Sequence, residues 1–392
     1  MKILIATVGV IVVLILAYLA SNNKNQIRYR PILRMIILQL ILAFLLLNTN
    51  FGEQIIGGFA NLFAYLIHYA MEGIGFIFGY IATEGQVPFF FAVLLPIVFI
   101  SVLIGILQYT GLLPISVKYI GFILSKINGM GQLESFNAVA SAILGQSEVF
   151  ISIKNQIGLM PPHRLYTLCA SAMSTVSMSI VGAYMTMIDP QYVVTAMVLN
   201  LFGGFIVVSI INPYIVSKEH DQLEVQRKLK GSFFEMIGEY IMDGFKVAII
   251  VAAMLIGFVS LIGMINGIFT AFIGLSFQQL LGFVFAPFAL IMGIPIQESV
   301  TAGGIMATKL LANEFVAILE LQKHVELSAR TIGIISVFLV SFANFSSIGI
   351  LTGAVKALHE KQGNVVASFG LRLLYGASLV SILSAAIAGI FL

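Results

Sequence analysis

Residues 128–159 read NGMGQLESFNAVASAILGQSEVFISIKNQIGL, and residues 292–321 read MGIPIQESVTAGGIMATKLLANEFVAILEL. Both stretches are apolar enough to enter a lipid bilayer, yet the first carries Glu134 and Glu148 and the second Glu298 and Glu314, among glycines and amides. A charge at the bilayer centre costs at least about 2.5 to 3.5 kcal/mol, so carboxylates gather there only where they face a protein-lined cavity. Non-helical backbone at that depth obeys the same restriction. At about 30 residues, each stretch is too long for one helical crossing of about 20 and long enough for two half-helices meeting at a tip. Both read as re-entrant hairpins.

The two hairpins also repeat one another. Met130-Gly131, Glu134-Ser135 and Ser147-Glu148-Val149-Phe150 are matched by Met292-Gly293, Glu298-Ser299 and Asn313-Glu314-Phe315-Val316. The offset is 164 residues at the first glutamate and 166 at the second. A hydroxyl-rich span follows each hairpin, Ser174-Thr175-Val176-Ser177-Met178-Ser179 in one half and Asn344-Phe345-Ser346-Ser347 in the other. Internal repeats of opposite orientation, with a site at the midplane, are the pattern of secondary transporters.

Around the hairpins the chain is a membrane protein throughout. Of its 392 residues 59% are hydrophobic and only 9% charged, far below the roughly 25% that wets a soluble protein. Soluble enzymes are excluded, and the 20 Lys and Arg form no stripe that would track nucleic acid. The one cysteine, Cys169, lies in an apolar stretch and reads as a small buried hydrophobe. Eight spans are expected: Ile3 to Ala20, Pro31 to Thr49, Val87 to Tyr109, Arg164 to Ile188, Gln191 to Ile211, Ile241 to Met264, Thr331 to Thr352 and Ser368 to Leu392. Phe51 to Ile81 and Leu113 to Asn128 read as interfacial helices, outside and inside respectively. Basic residues concentrate in cytoplasmic loops, chiefly Ser21 to Arg30 and Ser217 to Lys230, which places both termini outside. Lys2, Lys309, Lys323 and Arg330 are the basic residues that do not fit this pattern. The expected class is an all-α integral membrane protein with about eight transmembrane helices, two re-entrant hairpins in an inverted repeat, and interfacial helices.

No HExxH, no GxSxG and no pair of in-membrane histidines is present, so neither a metal site nor catalytic residues are expected. Glu134 and Glu298, at the hairpin starts, read as groups that fix local backbone. An ion channel would call for a ring of like residues around a symmetric pore, which two unlike hairpins do not provide.

Gly145-Gln146-Ser147-Glu148, Asn313-Glu314-Phe315 and Phe342-Ala343-Asn344-Phe345-Ser346-Ser347-Ile348 together resemble the motifs of concentrative nucleoside transporters, in particular the bacterial proton-coupled permeases. The span order matches from Ile3 to the C-terminus. The resemblance implies symport of nucleosides by an elevator mechanism, a homotrimer, and a multi-pass location in the bacterial cytoplasmic membrane with no cofactor. It divides the chain into 1–112, scaffold; 113–230, first repeat of a transport domain; 231–268, a connecting scaffold span; and 269–392, second repeat. Carried over position by position, Gln146, Ser147 and Glu148 become substrate contacts, the first two towards the base. Glu314, Asn344 and Ser347 become ribose contacts, and Phe342 lies beside the base. The implied substrates are nucleosides, with pyrimidine nucleosides such as uridine favoured and adenosine a further substrate.

Vicinal ribose hydroxyls donate well to carboxylates, and an amide such as Gln146 offers a base edge both a donor and an acceptor. In sodium-coupled members of the family the ion sits at the tip of the first hairpin. The corresponding positions here are Ser141, Leu144, Ser179 and Ile180. Ser141 stands where the family has an asparagine, which removes an amide oxygen from the hard-cation donor set. Protons are therefore the expected coupling ion, with sodium the alternative. The first carboxyl group expected to carry the proton is Glu148 and the second is Glu314.

Overall fold

The computed structural model describes residues 2–83, 87–216, 221 and 232–392, and every regular element among them is helical. Apart from Asp221, the loop expected at Ser217 to Lys230 lies outside the described residues. Six helical segments are long and apolar enough to cross a membrane: Tyr29–Asn48, Phe90–Tyr109, Pro162–Met187, Pro190–Ile211, Phe233–Ile273 and Gly370–Phe391. Four shorter apolar helices join them, Ile3–Leu19, Phe277–Ile291, Ala329–Leu339 and Phe345–Leu358.

Two of the expected continuous spans are broken. The chain expected to cross at Arg164 to Ile188 forms Pro162–Ser174 and Met178–Met187, separated by extended residues at Thr175 and Ser177. The span expected at Thr331 to Thr352 forms Ala329–Leu339 and Phe345–Leu358, with extended backbone at Asn344. In both, hydroxyl and amide side chains crowd the break, where they compete with the backbone for hydrogen bonds.

The span expected at Ile241 to Met264 is the middle of a 41-residue helix, Phe233–Ile273. At about 1.5 Å per residue it is roughly 60 Å long, twice the thickness of a bilayer core. A capping box starts it, in which Ser232 accepts from the Glu235 amide and Glu235 accepts from the Ser232 amide. Gly274, left-handed at φ 77°, ends it. The division placed between residues 268 and 269 therefore falls inside one rigid element, because nothing in 265–273 breaks a helix. Phe277–Ile291, which begins with its own Ser276 and Gln279 capping box, was not anticipated. It takes the same place before the second hairpin that Leu112–Asn128 takes before the first.

Gly370–Phe391 is the hub of the fold. It is buried along most of its length and packs against Lys2–Leu19, Pro190–Ile211, Ala329–Leu339 and Pro162–Ser174. Phe277–Ile291 lies directly on the first arm of the second hairpin, where Gly303 and Gly282 allow backbone contact: a Cβ on Gly303 would come within 2.4 Å of the Gly282 carbonyl. By contrast Phe233–Ile273 exposes most of its apolar surface, as expected of a helix facing lipid.

Candidate functional site

Each hairpin is two helical arms with a polar tip. In the first, Gln132–Leu144 stops at Gly145, whose φ of 108° suits only glycine, and the chain returns through a tight helical turn at Glu148–Ile153. In the second, Ser299–Leu311 is followed by Asn313, which accepts from the Val316 amide at 2.9 Å and so caps Glu314–Lys323. At the hairpin starts, Arg164 grips both oxygens of Glu134 at 2.6 and 3.0 Å, while Ser328 donates its hydroxyl to Glu298 at 2.8 Å. These outer glutamates hold each hairpin to the following span.

The two broken spans meet at their breaks, where the Phe342 amide donates to the Thr175 carbonyl at 3.1 Å. Backbone freed by one break is thus partly satisfied by the other, which lets irregular chain persist deep in the protein. Asn344 caps Phe345–Leu358 by accepting from the Ser347 amide at 2.9 Å, and its own amide donates to Glu314 at 3.0 Å. Helices beginning at Glu314 and Phe345 direct their N-termini, the positive ends of their dipoles, at this junction.

Between the two tips lies a cavity of about 240 Å³. It is lined by Gln146, Ser147 and Glu148 from the first hairpin, Glu314 from the second, and Phe342, Asn344 and Ser347 from the second break. All seven residues expected to contact substrate are therefore brought together. Val247, Ile250, Val251 and Met254 of Phe233–Ile273 supply an apolar wall. Two buried polar atoms of the cavity residues, Gln146 Oε1 and Ser347 Oγ, have no hydrogen-bond partner among the described residues. Leaving such atoms unpaired costs about 1 to 3 kcal/mol each, a debt a hydroxylated ligand removes.

The positions expected to form an ion site are divided. Ser179 and Ile180 line the substrate cavity, whereas Leu144 lines a second cavity of about 220 Å³ that Ser179 and Glu148 also border. Ser141 lines neither and donates its hydroxyl to the Asn137 carbonyl of its own helix at 2.6 Å. Among the described residues Glu148 makes no ion pair, and Asp243 and Glu239 of the long helix share the second cavity with it.

Known families account for the whole arrangement. Residues 8–81 match the N-terminal part, and residues 192–389 the C-terminal part, of the family described as Na+ dependent nucleoside transporter; residues 90–191 match a segment described as nucleoside recognition. The purine nucleoside transport protein NupG of Bacillus subtilis (strain 168) is 35% identical over the full length of both chains. The chain belongs to the concentrative nucleoside transporter family. Nucleoside permease NupC of Helicobacter pylori (strain ATCC 700392 / 26695) is a further relative, 30% identical across 99% of this chain and 98% of that one. The solved structure of CNTnw in an inward-facing substrate-bound state superposes with a TM-score of 0.93 at 30% identity, covering 100% of this chain and 99% of that one. The fold of this transporter is thus an established all-helical membrane fold, and its relatives are transporters.

Two residues that sequence reading left aside lie buried behind the cavity lining of this transporter. Tyr184, fully buried on Met178–Met187, donates its hydroxyl to Glu314 at 2.8 Å. Its signal was a tyrosine in the apolar half of a hydroxyl-rich span, since a buried phenol needs a partner. Lys309, assigned above only as a basic residue out of place, is fully buried inside the second hairpin.

Proposed function

We propose that this chain imports nucleosides by proton symport, carrying them between the two hairpin tips as one transport domain moves past a scaffold. The carrying observation is the cavity between the tips, where the seven expected residues supply two carboxylates, four amide or hydroxyl side chains and an aromatic ring, with Gln146 Oε1 and Ser347 Oγ orphaned among the described residues. Glu314, already oriented by Tyr184 and Asn344, has lone pairs left for vicinal hydroxyls, which favours a ribose over a plain base. The elevator motion, a homotrimer and a bacterial cytoplasmic membrane location belong to the same reading. In it, residues 1–112 and the helix through Ile273 are scaffold, and the two repeats move.

The 35% relative is named for purine nucleosides, so purines stand beside the pyrimidines favoured by the motif comparison. Uptake of radiolabelled uridine and of inosine into proteoliposomes, each competed by unlabelled nucleosides, separates the two base classes. Competition by 2′-deoxy- and 3′-deoxyuridine equal to that by uridine would remove the ribose assignment.

Proton coupling draws support from Ser141, whose hydroxyl is bonded within its own helix and which lacks an amide oxygen for sodium. Glu148, with no ion pair among the described residues, must meet a cation or take up a proton before the loaded hairpin crosses an apolar barrier.

A further inference from the structure

The second cavity, of about 220 Å³, adjoins the substrate cavity, and Glu148 and Ser179 belong to the lining of both. Its walls come from two bodies. The turn of the first hairpin supplies Glu148 and Ser152, while Pro96–Tyr109 and Phe233–Ile273 supply Ser101, Gln108, Glu239 and Asp243. Glycines let those two helices pack closely: a Cβ on Gly244 would come within 2.9 Å of Ser101 Oγ, and one on Gly105 within 2.6 Å of the Tyr240 ring. The second wall therefore holds its carboxylates at set positions.

Two hydroxyl groups of the lining are unpaired. Ser152 is 7% exposed and Ser101 9%, and neither makes a side-chain hydrogen bond among the described residues. Leaving a buried hydroxyl unpaired costs about 1 to 3 kcal/mol, which a polar occupant of the space removes. Glu239 and Asp243 are exposed at the mouth. Asp243 pairs with Lys246 at 3.2 Å, but Lys246 is outside the lining, and no basic side chain among the described residues belongs to it.

The other elements around Glu148 do not offset this charge. Pro96–Tyr109 and Met178–Met187 carry no ionised side chain. Glu134, at the far end of Gln132–Leu144, is paired with Arg164, and Glu235 is held in the cap of the long helix. Lys154, after the hairpin turn, and Lys356, in the last turn of Phe345–Leu358, are exposed and line neither cavity. Glu314, across the substrate cavity, is one more acid.

We propose that the second cavity is a cation-binding antechamber, in which Glu239 and Asp243 of the long helix gather a monovalent cation, hydronium or sodium, beside Glu148, and the Ser101 and Ser152 hydroxyls solvate it. Carboxylates at the mouth of a cleft with low-dielectric walls focus the field and raise the local cation concentration, by a factor on the order of 10 to 1000. Hard cations take oxygen ligands, and oxygens are what the polar lining offers. Glu148, bordering both spaces, is where the gathered cation meets the substrate cavity. On the topology expected from the basic residues, Glu239 and Asp243 lie towards the cytoplasmic end of their helix, so the antechamber serves exchange with the inner solution. The inference rests on the transport reading only for what the cation does next, since its gathering needs no nucleoside.

Two measurements test it. The first uses protein in detergent without nucleoside, carrying S152C with C169A so that one thiol remains, and compares a trimethylammonium with a sulfonate methanethiosulfonate. Each rate is divided by that for a free thiol in solution. The cationic reagent should then react about tenfold faster than the anionic one, with the preference falling towards one when E239Q and D243N are combined and rising in K246Q, which frees Asp243. Added salt should shrink the preference of the parent more than that of the acid-less protein. S101C, on the opposite wall, gives the same comparison where S152C yields no folded protein. Failure of both reagents to react, or a preference undiminished by loss of both acids, overturns the inference. In the second measurement, gradient-driven nucleoside uptake into proteoliposomes is divided by nucleoside exchange at equal ion concentrations, which requires no cation release. Proton and sodium gradients are imposed in separate arms, and the arm that drives wild type identifies the cation. In that arm E239Q with D243N should lower the ratio about tenfold, and an unchanged ratio overturns the inference. Absence of uptake by wild type would instead sink the nucleoside reading, while the thiol rates still decide the antechamber.

Discussion

Glu314 concentrates the chemistry of the cavity, since it is buried, accepts from two neutral donors and faces the space between the tips. Replacing it with glutamine keeps the shape, removes charge-assisted bonds to ribose hydroxyls and should abolish measurable uptake at subsaturating nucleoside, while size-exclusion profile and expression stay normal. Tyr184→Phe removes one of its donors. With a buried bond worth about 1 to 3 kcal/mol, the half-saturating concentration should rise by a factor of about 5 to 100, measured by concentration-dependent uptake. Gly145 acts through conformation alone. At φ 108° any side chain is strained, and an alanine Cβ would lie 2.7 Å from Glu148 Oε2 and 3.1 Å from Ser177 Cβ. Gly145→Ala should therefore lose about 1 to 3 kcal/mol of stability, visible as a lower melting temperature, and should also depress uptake by displacing Glu148. Wild-type uptake by that variant would mean that the tip geometry is not what holds Glu148.

At the scale of elements, the hairpins depend on the spans that follow them. Arg164, at the start of one broken span, neutralises Glu134 at the start of the first hairpin, and Tyr214 donates to the same carboxylate at 3.0 Å. Removing one member of a buried pair costs about 3 to 5 kcal/mol, because the remaining charge stays behind. Arg164→Leu should accordingly melt earlier than wild type by more than the Glu134→Gln, Arg164→Leu double variant does, read by thermal unfolding in detergent. Equal midpoints would reduce the pair to a surface contact. The breaks themselves were half legible. Hydroxyl-rich runs marked both positions, but a serine in a helix can equally bond its own backbone, as Ser174 does with the Ala170 carbonyl at 2.7 Å. What makes the runs into breaks is the other repeat, whose Phe342 amide meets Thr175.

Across the whole molecule, two repeats of helix, hairpin, broken span and long span enclose one site, with Gly370–Phe391 at the hub and Phe233–Ile273, packed on Pro96–Tyr109, along one side with much of its apolar surface exposed. A site walled on one side by that long helix and held on the other by the hairpins suits a carrier in which one body slides past another. Uptake should follow an inward proton gradient and be unaffected when sodium is replaced by potassium or choline. Proteoliposomes with pH and sodium gradients imposed separately measure this. Strong stimulation by sodium at equal pH would show that Ser141, Ser179 and nearby carbonyls still hold that ion.

Hydropathy, the positions of basic residues and the paired Glu-bearing motifs determined on their own the helical membrane class, the two hairpins and the repeat, while the seven residues that share the cavity followed from the resemblance of three motifs to a known transporter family. These signals are local: each depends on what lipid or a buried charge tolerates within about 30 residues of chain. Tertiary structure decided the rest. A 41-residue helix replaced a span of ordinary length because no residue in its apolar continuation stops it. Tyr184 became a partner of Glu314 across 130 residues of sequence, and Lys309 became an internal cation bonded 29, 32 and 72 residues away. Partnerships at such separations leave no periodicity or spacing to read, since they exist only once distant segments have packed and each buried polar atom has been forced to find its complement.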